Sequence, residues 1–503
     1  MSLFFMISGQ ARARLVQGGA ALAAVVVIAG CGSTYRPVVT PVTPSGPPAQ
    51  PSTNVVVVSA PSTTTPGIAT IIDYSGDSVL ALAPIGPGPL TFTLDETGSN
   101  GYTLNSDGTL SNFPVSSSLQ AKQVTYTTLP PTAQPINLFS PSAGLFAADQ
   151  SGNVADVFTG FPQTFKLAIP VGTTPIAVSG PASNSQRVFS ISQNIPSATG
   201  VECNNSPTTG PLGVANGLEI SSYTVSSTIP LGACPVFAIE SADAKRLFVL
   251  NRGSDTVTVI NAQNNTLDAC TPFLNQAGQT VTCHPALPLS LTAVAALNAA
   301  NPGSGTPPNG TAGMGTIAGP VYAEYNAATA QLVVSNYDGN TISVIDVSED
   351  EYGNDSATFG TTFTIPVGTN PASVTVLADG SRAYTANQTD QTVTIVTLSS
   401  HTVEKTLPVT GHPRTVVSTQ NSQYGKVYVA SPDSPYLTIL RTDLDIVDTA
   451  VLVEGNIVDV RTGTQNGSTG NNHNVSRRPG WGEPCYLPGA SNSASLALCQ
   501  TLP

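Results

Sequence analysis

Charge is what this chain of 503 residues has least of. Asp, Glu, Lys and Arg make up 9% of it, and its 17 basic residues form no cluster. A surface that neutralises phosphates needs clustered Lys and Arg, so nucleic acid is not an expected partner. The formal net charge is −13; without the first 30 residues, which hold Arg12 and Arg14 but no acid, it becomes 15 − 30 = −15. Such acidity favours solubility and opposes adhesion to anionic lipid heads. Histidine is scarce too: only His284, His401, His412 and His473 occur, and Trp481 is the single tryptophan. No C-x-x-C is present, which weakens zinc and thiol-redox readings. G-x-S-x-G, H-E-x-x-H, P-loop and EF-hand spacings are missing as well, so no cofactor, metal or catalytic residue is expected. The uncharged run from Leu15 to Gly30 is 16 residues, short of the roughly 20 that a spanning helix needs.

What is abundant is turn chemistry and apolar side chains. Sparse charge would mean disorder only if apolar content were low, and here it is 40%. Gly 45 and Pro 42 suit a chain dense in turns. A length of 503 exceeds one ordinary core, so several domains or a repeat array is expected.

The first 30 residues read as a secretory signal peptide. The tetrad Ile28-Ala29-Gly30-Cys31 resembles the bacterial lipobox. By that resemblance Cys31 carries a diacylglycerol, and Gly32 in place of Asp points to the outer membrane. Residues 31–66 are rich in Pro, Ser and Thr; Pro37, Pro41, Pro44, Pro47, Pro48 and Pro51 favour extended polyproline II, hence a stalk. Six cysteines remain in this exported chain: Cys203, Cys234, Cys270, Cys283, Cys485 and Cys499. An even remainder points to disulfides, with 15 possible pairings. Nearest-neighbour pairing gives 203–234, 270–283 and 485–499.

One phrase recurs: "IPVGTTP" at 169–175, "IPLGACP" at 229–235, "IPVGTNP" at 365–371 and "LPVTGHP" at 407–413. Three short β-branched runs separated by turn residues follow each of the last three copies. Thr256-Val257-Thr258-Val259-Ile260, Thr341-Ile342-Ser343-Val344-Ile345 and Thr392-Val393-Thr394-Ile395-Val396 alternate apolar with small hydroxyl residues, a period of two and so a strand. The small hydroxyl face suits sheets stacked on neighbouring sheets.

The prolines opening the units, Pro89, Pro135, Pro175, Pro235, Pro320, Pro371 and Pro413, are spaced 46, 40, 60, 85, 51 and 42 apart. Periods of 40–50 with about four strands each are the mark of propeller blades. The long spacings are read as insertions at 194–217 and 268–318. In this scheme Ile-Pro-Val ends an outer strand, glycine turns the chain, and the second proline begins the innermost strand of the next blade, where a missing donor is tolerated.

These residues resemble the YVTN β-propeller repeat family. Tyr384-Thr385-Ala386-Asn387, Tyr428-Val429-Ala430-Ser431, Phe248-Val249-Leu250-Asn251 and Val333-Val334-Ser335-Asn336 match its eponymous strand, and "DTVTVIN", "NTISVID" and "QTVTIVT" match the next. The resemblance spans about 229–447 and implies an all-β propeller of four-stranded antiparallel blades, seven in the common form. The units number eight if 67–84, two strands without an opening one, joins 451–463 to close the ring from both chain ends. The expected organisation is signal peptide 1–30, stalk 31–66, propeller 67–462 and a disulfide-stapled tail 463–503 onto which Trp481 packs.

Asp73, Asp149, Asn251, Asn336 and Asn387 recur at the ends of second strands, as turn caps rather than a metal ring. His412 and Arg414, in "TGHPRT", are candidate ligand contacts at the channel mouth, set against the plainer reading of His412 as a surface histidine in a turn. The expected function is a lipid-anchored envelope protein whose propeller binds a protein, peptide or glycan without catalysis. The alternatives are a lactonase-type hydrolase or cofactor-carrying oxidoreductase with its site at the channel mouth, and a structural surface-array protein.

Overall fold

A computed structural model describes residues 54–462 apart from 96, 142–143, 181–186, 195–211, 276–277 and 419–424. The chain divides into two units, Met1–Pro48 and Ala49–Pro503, and every described residue lies in the second. Among the described residues no helix is long and apolar enough to cross a membrane.

The described chain forms eight antiparallel blades. Blades one to seven each run outward through four consecutive strands. They start at Pro89, Pro135, Pro175, Pro235, Pro320, Pro371 and Thr415. Six of the seven punctuating prolines are therefore the first residue of an innermost strand, and Pro413 falls two residues short of one. The recurring phrase does what its composition requires. Thr164–Pro170, Thr224–Ala233, Thr362–Pro366 and Thr402–Pro408 are the outermost strands that the four copies end.

Blade eight is shared by the two ends of the described chain. Its innermost strand is Asn456–Thr462, and the other three are Asn54–Ala60, Pro66–Asp73 and Val79–Pro87. Two expectations are corrected. The ring has eight blades rather than seven, and Asn54–Ala60, assigned above to the stalk, is a strand of the ring. Val55 and Val57 pack toward blade seven while Val56 and Val58 pack toward blade one. Both faces are buried, so the strand reads as an unbroken valine run instead of an alternation.

The same logic runs round the molecule. Six apolar clusters fill all eight interfaces between consecutive blades. The hydroxyl faces are buried as well: Ser111, Thr258, Ser343 and Thr394 lie between blades. Side chains of innermost strands also take backbone donors from the next blade. The N–H of Val178 donates to Asn137 Oδ1 (2.9 Å), and those of Val416 and Ser418 donate to the hydroxyls of Ser373 (3.1 Å) and Thr375 (3.0 Å).

The two rims differ in their turns. Innermost strands begin, and second strands end, on what we call the opening face; the turns joining third to outermost strands lie on the return face. On the return face a basic residue at the start of a second strand reaches the next blade's corner four times. Arg187 Nη1 donates to Ala262 O (3.0 Å). Arg246 Nη2 donates to Asp355 (3.0 Å). Arg382 pairs with Asp445 and donates to Thr442 O (2.7 Å). Lys426 Nζ meets Asp77 (2.6 Å) and Tyr74 O (3.1 Å).

The insertions fall in two places. Residues 212–217, expected within an insertion, belong to the third strand of blade three, Leu212–Glu219. Blade four's outermost strand is broken: Thr266–Leu267 and Ala286–Pro288 pair with opposite ends of Thr256–Asn261. The excursion between them is closed by the Cys270–Cys283 disulfide, and helix Leu291–Ala300 follows.

Candidate functional site

The opening face is built from the residue that ends each second strand and the one after it. Asn251 Nδ2 donates to Thr256 Oγ1 (3.2 Å) and Thr258 Oγ1 (2.8 Å). Asn336 does the same to Thr341 (3.0 Å) and Ser343 (2.9 Å), and Asn387 to Thr392 (2.9 Å) and Thr394 (2.8 Å). Asp149 accepts from the N–H groups of Gln134 and Ser151 (both 2.9 Å). These side chains fasten their own blades. Asp73 is a correction: with Asn54–Ala60 in the ring, it ends a third strand and caps a return-face turn through Ser75 and Gly76.

The phrase glycines answer to these asparagines. A Cβ on Gly232 would lie 2.7 Å from Asn251 Cγ, and one on Gly368 would lie 2.6 Å from Asn387 Cγ. Where the second strand ends in Ala430, the phrase carries Thr410 in glycine's place.

One residue further on stand Gln150, Gln193, Arg252, Tyr337 and Gln388, on blades two to six, all buried. Gln193 Nε2 donates to Pro235 O (3.1 Å) on the next blade. Arg252 is bidentate to Asp338 (3.1 and 2.9 Å), and its guanidinium lies 5.3 Å from the Tyr337 ring centroid. Tyr337 Oη donates to Gln388 Oε1 (3.0 Å). Each link leaves something over. Among the described residues, Gln150 Nε2, Gln193 Oε1, Arg252 Nη1 and Gln388 Nε2 have no hydrogen-bond partner. Sequence reasoning missed this arc because its residue types vary; the signal was position, one place after the repeated strand end.

His412 lies in the connection between blades six and seven. Asp433 Oδ1 accepts from its backbone N–H (2.8 Å) and Oδ2 from Nδ1 (2.6 Å), so Nε2 faces the amide of Gln391 (3.2 Å). The ring is partly exposed. Arg414 is not beside it in function: it is buried, and its Nη2 donates to Val458 O (2.8 Å) on the strand that closes the ring.

The other histidines are spoken for or out of view. His284 Nδ1 meets Asp355 (2.8 Å), and His401 stacks on Phe363 at 3.6 Å. His473 and Trp481 lie outside the described residues, as do Cys31, Cys203, Cys485 and Cys499. Cys234 is disulfide-bonded.

Buried acids lie inside the ring. Glu324, on blade five's innermost strand, is pushed up to about 8 by burial; the Val376 N–H and the Thr375 hydroxyl pull it back only in part. Burial, then the charge of Asp149, raises Asp156 to about 7. Burial alone holds Glu240 well above the usual carboxyl range. Between blades four and five, Asp268 rises to about 7 through burial and then the charge of Asp355. Among the described residues no three His, Cys, Asp or Glu side chains are grouped to hold a metal ion.

No protein-family profile and no curated protein matches the chain. Its solved likenesses are structural. Apo AztD from Citrobacter koseri aligns with a TM-score of 0.51 and 11% identity over 82% of this chain and 98% of that one. A second crystal structure of Citrobacter koseri AztD gives 0.52 and 10%, over 82% and 97%. At such identities the likeness concerns the backbone alone, and what it shows of this chain is the β-propeller fold.

Proposed function

We propose that this chain is a cell-envelope lipoprotein, anchored through Cys31 to the outer membrane, whose YVTN-type propeller binds a polar ligand on its opening face without transforming it. The arc from Gln150 to Gln388 carries the reading. A buried polar atom without a partner costs about 1–3 kcal/mol, and such groups are rare enough to need a cause. Of the buried atoms left without a partner among the described residues, four lie at one structural position on blades two, three, four and six: three donors and one acceptor. A peptide or glycan, rich in carbonyl or hydroxyl acceptors, satisfies that set. Glutamine and arginine also supply no proton donor or acceptor that titrates near neutral pH, which supports binding over acid–base chemistry.

A second reading rests on His412. Asp433 fixes its Nδ1 side and holds Nε2 on the opening face against the Gln391 amide; a carboxylate on Nδ1 is the arrangement that orients a general base. This favours the hydrolase alternative at that one connection.

Native mass spectrometry of the full chain purified from the envelope separates the two. Binding predicts an organic adduct lost in Gln193→Leu and Gln388→Leu but kept in His412→Asn. Hydrolysis predicts turnover of an ester or lactone panel that His412→Asn abolishes. A chain beginning at residue 31 with a diacylglyceryl mass on Cys31 supports the anchor; an unmodified thiol there overturns it.

A further inference from the structure

We infer that the return-face rim of blades seven and eight is a lipid-contacting surface, by which the anchored propeller lies against the bilayer rather than swinging free on its stalk. This rests on the lipoprotein reading.

The repeat supplies its own control. In blades two, three, five and six the second residue of the outermost strand is an exposed apolar side chain: Phe165, Val225, Phe363 and Val403. Blade two adds Phe161 in the same turn, and blade one exposes Tyr126 at the same position; the corners of blades three, five and six are single, with polar or charged company. Phe165 meets Phe158 edge-on and is followed by Lys166; Phe363 stacks on His401; Val403 precedes Glu404 and Lys405. Scattered residues of this kind are normal on a soluble surface.

Blades seven and eight depart from that pattern together. At the same corner blade seven exposes Leu444 (57%), Ile446 (36%) and Val447 (40%). Blade eight exposes Val79 (42%), Leu80 (42%) and Leu82 (52%). The six occupy equivalent corners of consecutive blades on one face. Asp448 and the Arg441–Asp443 pair (2.6 Å) are their charged neighbours on blade seven. On blade eight the strand Val79–Pro87 carries no charge, and the acids of the turn before it, Asp73 and Asp77, are held by that turn and by Lys426.

What indicates the occupant is where the chain comes from. Asn54, the first described residue, pairs with Asp73, whose turn leads straight into Val79. The ring is thus entered at the apolar corner itself. Cys31 precedes Asn54 by 54 − 31 = 23 residues, so a lipid there holds this corner, of all eight, nearest in sequence to the membrane. Apolar side chains at such a rim settle about 5–10 Å into the headgroup boundary. The net acidity of the chain favours a zwitterionic lipid surface over an anionic one.

The test places one tryptophan at matched corners. In the full lipidated chain carrying Trp481→Phe, Leu80→Trp and Val403→Trp are compared in phosphatidylcholine vesicles with brominated acyl chains. Both substitutions are on exposed sites, and thermal unfolding checks that both variants fold. We expect emission from the Leu80→Trp variant to be quenched about twofold more than that from Val403→Trp, as insertion into the headgroup boundary predicts. Equal quenching in vesicles that the protein does float with overturns the rim while leaving the anchor intact. Failure to float overturns the anchor, and this inference with it. An unquenched but shielded tryptophan at 80, with concentration-dependent dimers in sedimentation, overturns it in favour of a second copy of the chain.

Discussion

The two faces of the ring use polar side chains in opposite ways. On the return face, the basic residues that open second strands are spent on the neighbouring blade: Arg187, Arg246, Arg382 and Lys426 each land on the next blade's corner. On the opening face, the residues after second strands link to one another yet leave Gln150 Nε2, Gln193 Oε1, Arg252 Nη1 and Gln388 Nε2 over. A face whose basic side chains bridge from blade to blade holds the ring together, even with Asp77 Oδ1 and Arg246 Nε left over. A face with groups to spare can recognise something. If that contrast is right, deletions should hurt the first face in stability and the second in binding.

The largest effect is expected where the ring closes. Lys426 is fully buried and meets Asp77 across the seam between blades seven and eight. Lys426→Ala strands that carboxylate, and breaking one partner of a buried pair costs about 3–5 kcal/mol. A lower denaturant midpoint by that margin is the expected outcome. Removing both partners, with Lys426→Met and Asp77→Asn, should return most of it. A single variant as stable as the parent would show that the return face is not bolted as described.

Next comes the acid buried between blades five and six. Glu324 has a folded pKa of about 8 against an ordinary value near 4.3. The fold therefore prefers the protonated form. Its contribution is complete below about pH 4.5 and is lost as pH rises through 8. Glu324→Gln keeps an acceptor for the Val376 N–H and removes the titration. Between pH 5 and pH 9 the parent should lose stability on the order of 4 kcal/mol more than the variant. Parallel pH profiles would place the carboxylate in contact with solvent.

How much of this was legible beforehand depends on which face a residue serves. The phrase could be read because proline at a strand's first residue and glycine at a turn are backbone requirements, and backbone requirements show in one sequence. Period two was visible in Thr256–Ile260 because its two faces differ in kind. Val55–Val58 was hidden because its two faces do not differ, and a prolonged valine run beside a Pro-rich stalk carries no period. Asp73 was misassigned by the same omission, since a missing strand shifts every later position in its blade by one. Arg414 showed its position in the repeat but not its direction, which only the closing strand's Val458 carbonyl decides. The arc on the opening face was illegible for a different reason. Gln, Arg and Tyr share length and polarity but no letter.

A smaller effect probes the phrase itself. Gly368→Ala sets a Cβ 2.6 Å from Asn387 Cγ, and overpacking of this kind typically costs about 1–3 kcal/mol. At the fourth copy the partner is Ala430, so Thr410→Gly should cost less than about 1 kcal/mol, mostly backbone entropy. Equal costs at the two positions would mean that glycine is kept for the turn alone.

The smallest stability change is expected at Gln150, and it is the most informative. Its Nε2 is buried without a partner, so Gln150→Leu removes an unsatisfied donor and should leave the unfolding free energy within about 0.5 kcal/mol, or raise it. If the opening face holds a ligand, the same variant weakens it: one lost hydrogen bond of about 1 kcal/mol is roughly a fivefold rise in Kd for the adduct that native mass spectrometry reveals. Stability that falls by more than 2 kcal/mol would instead make Gln150 a strut like Lys426, and the two faces would then differ in residue type but not in purpose.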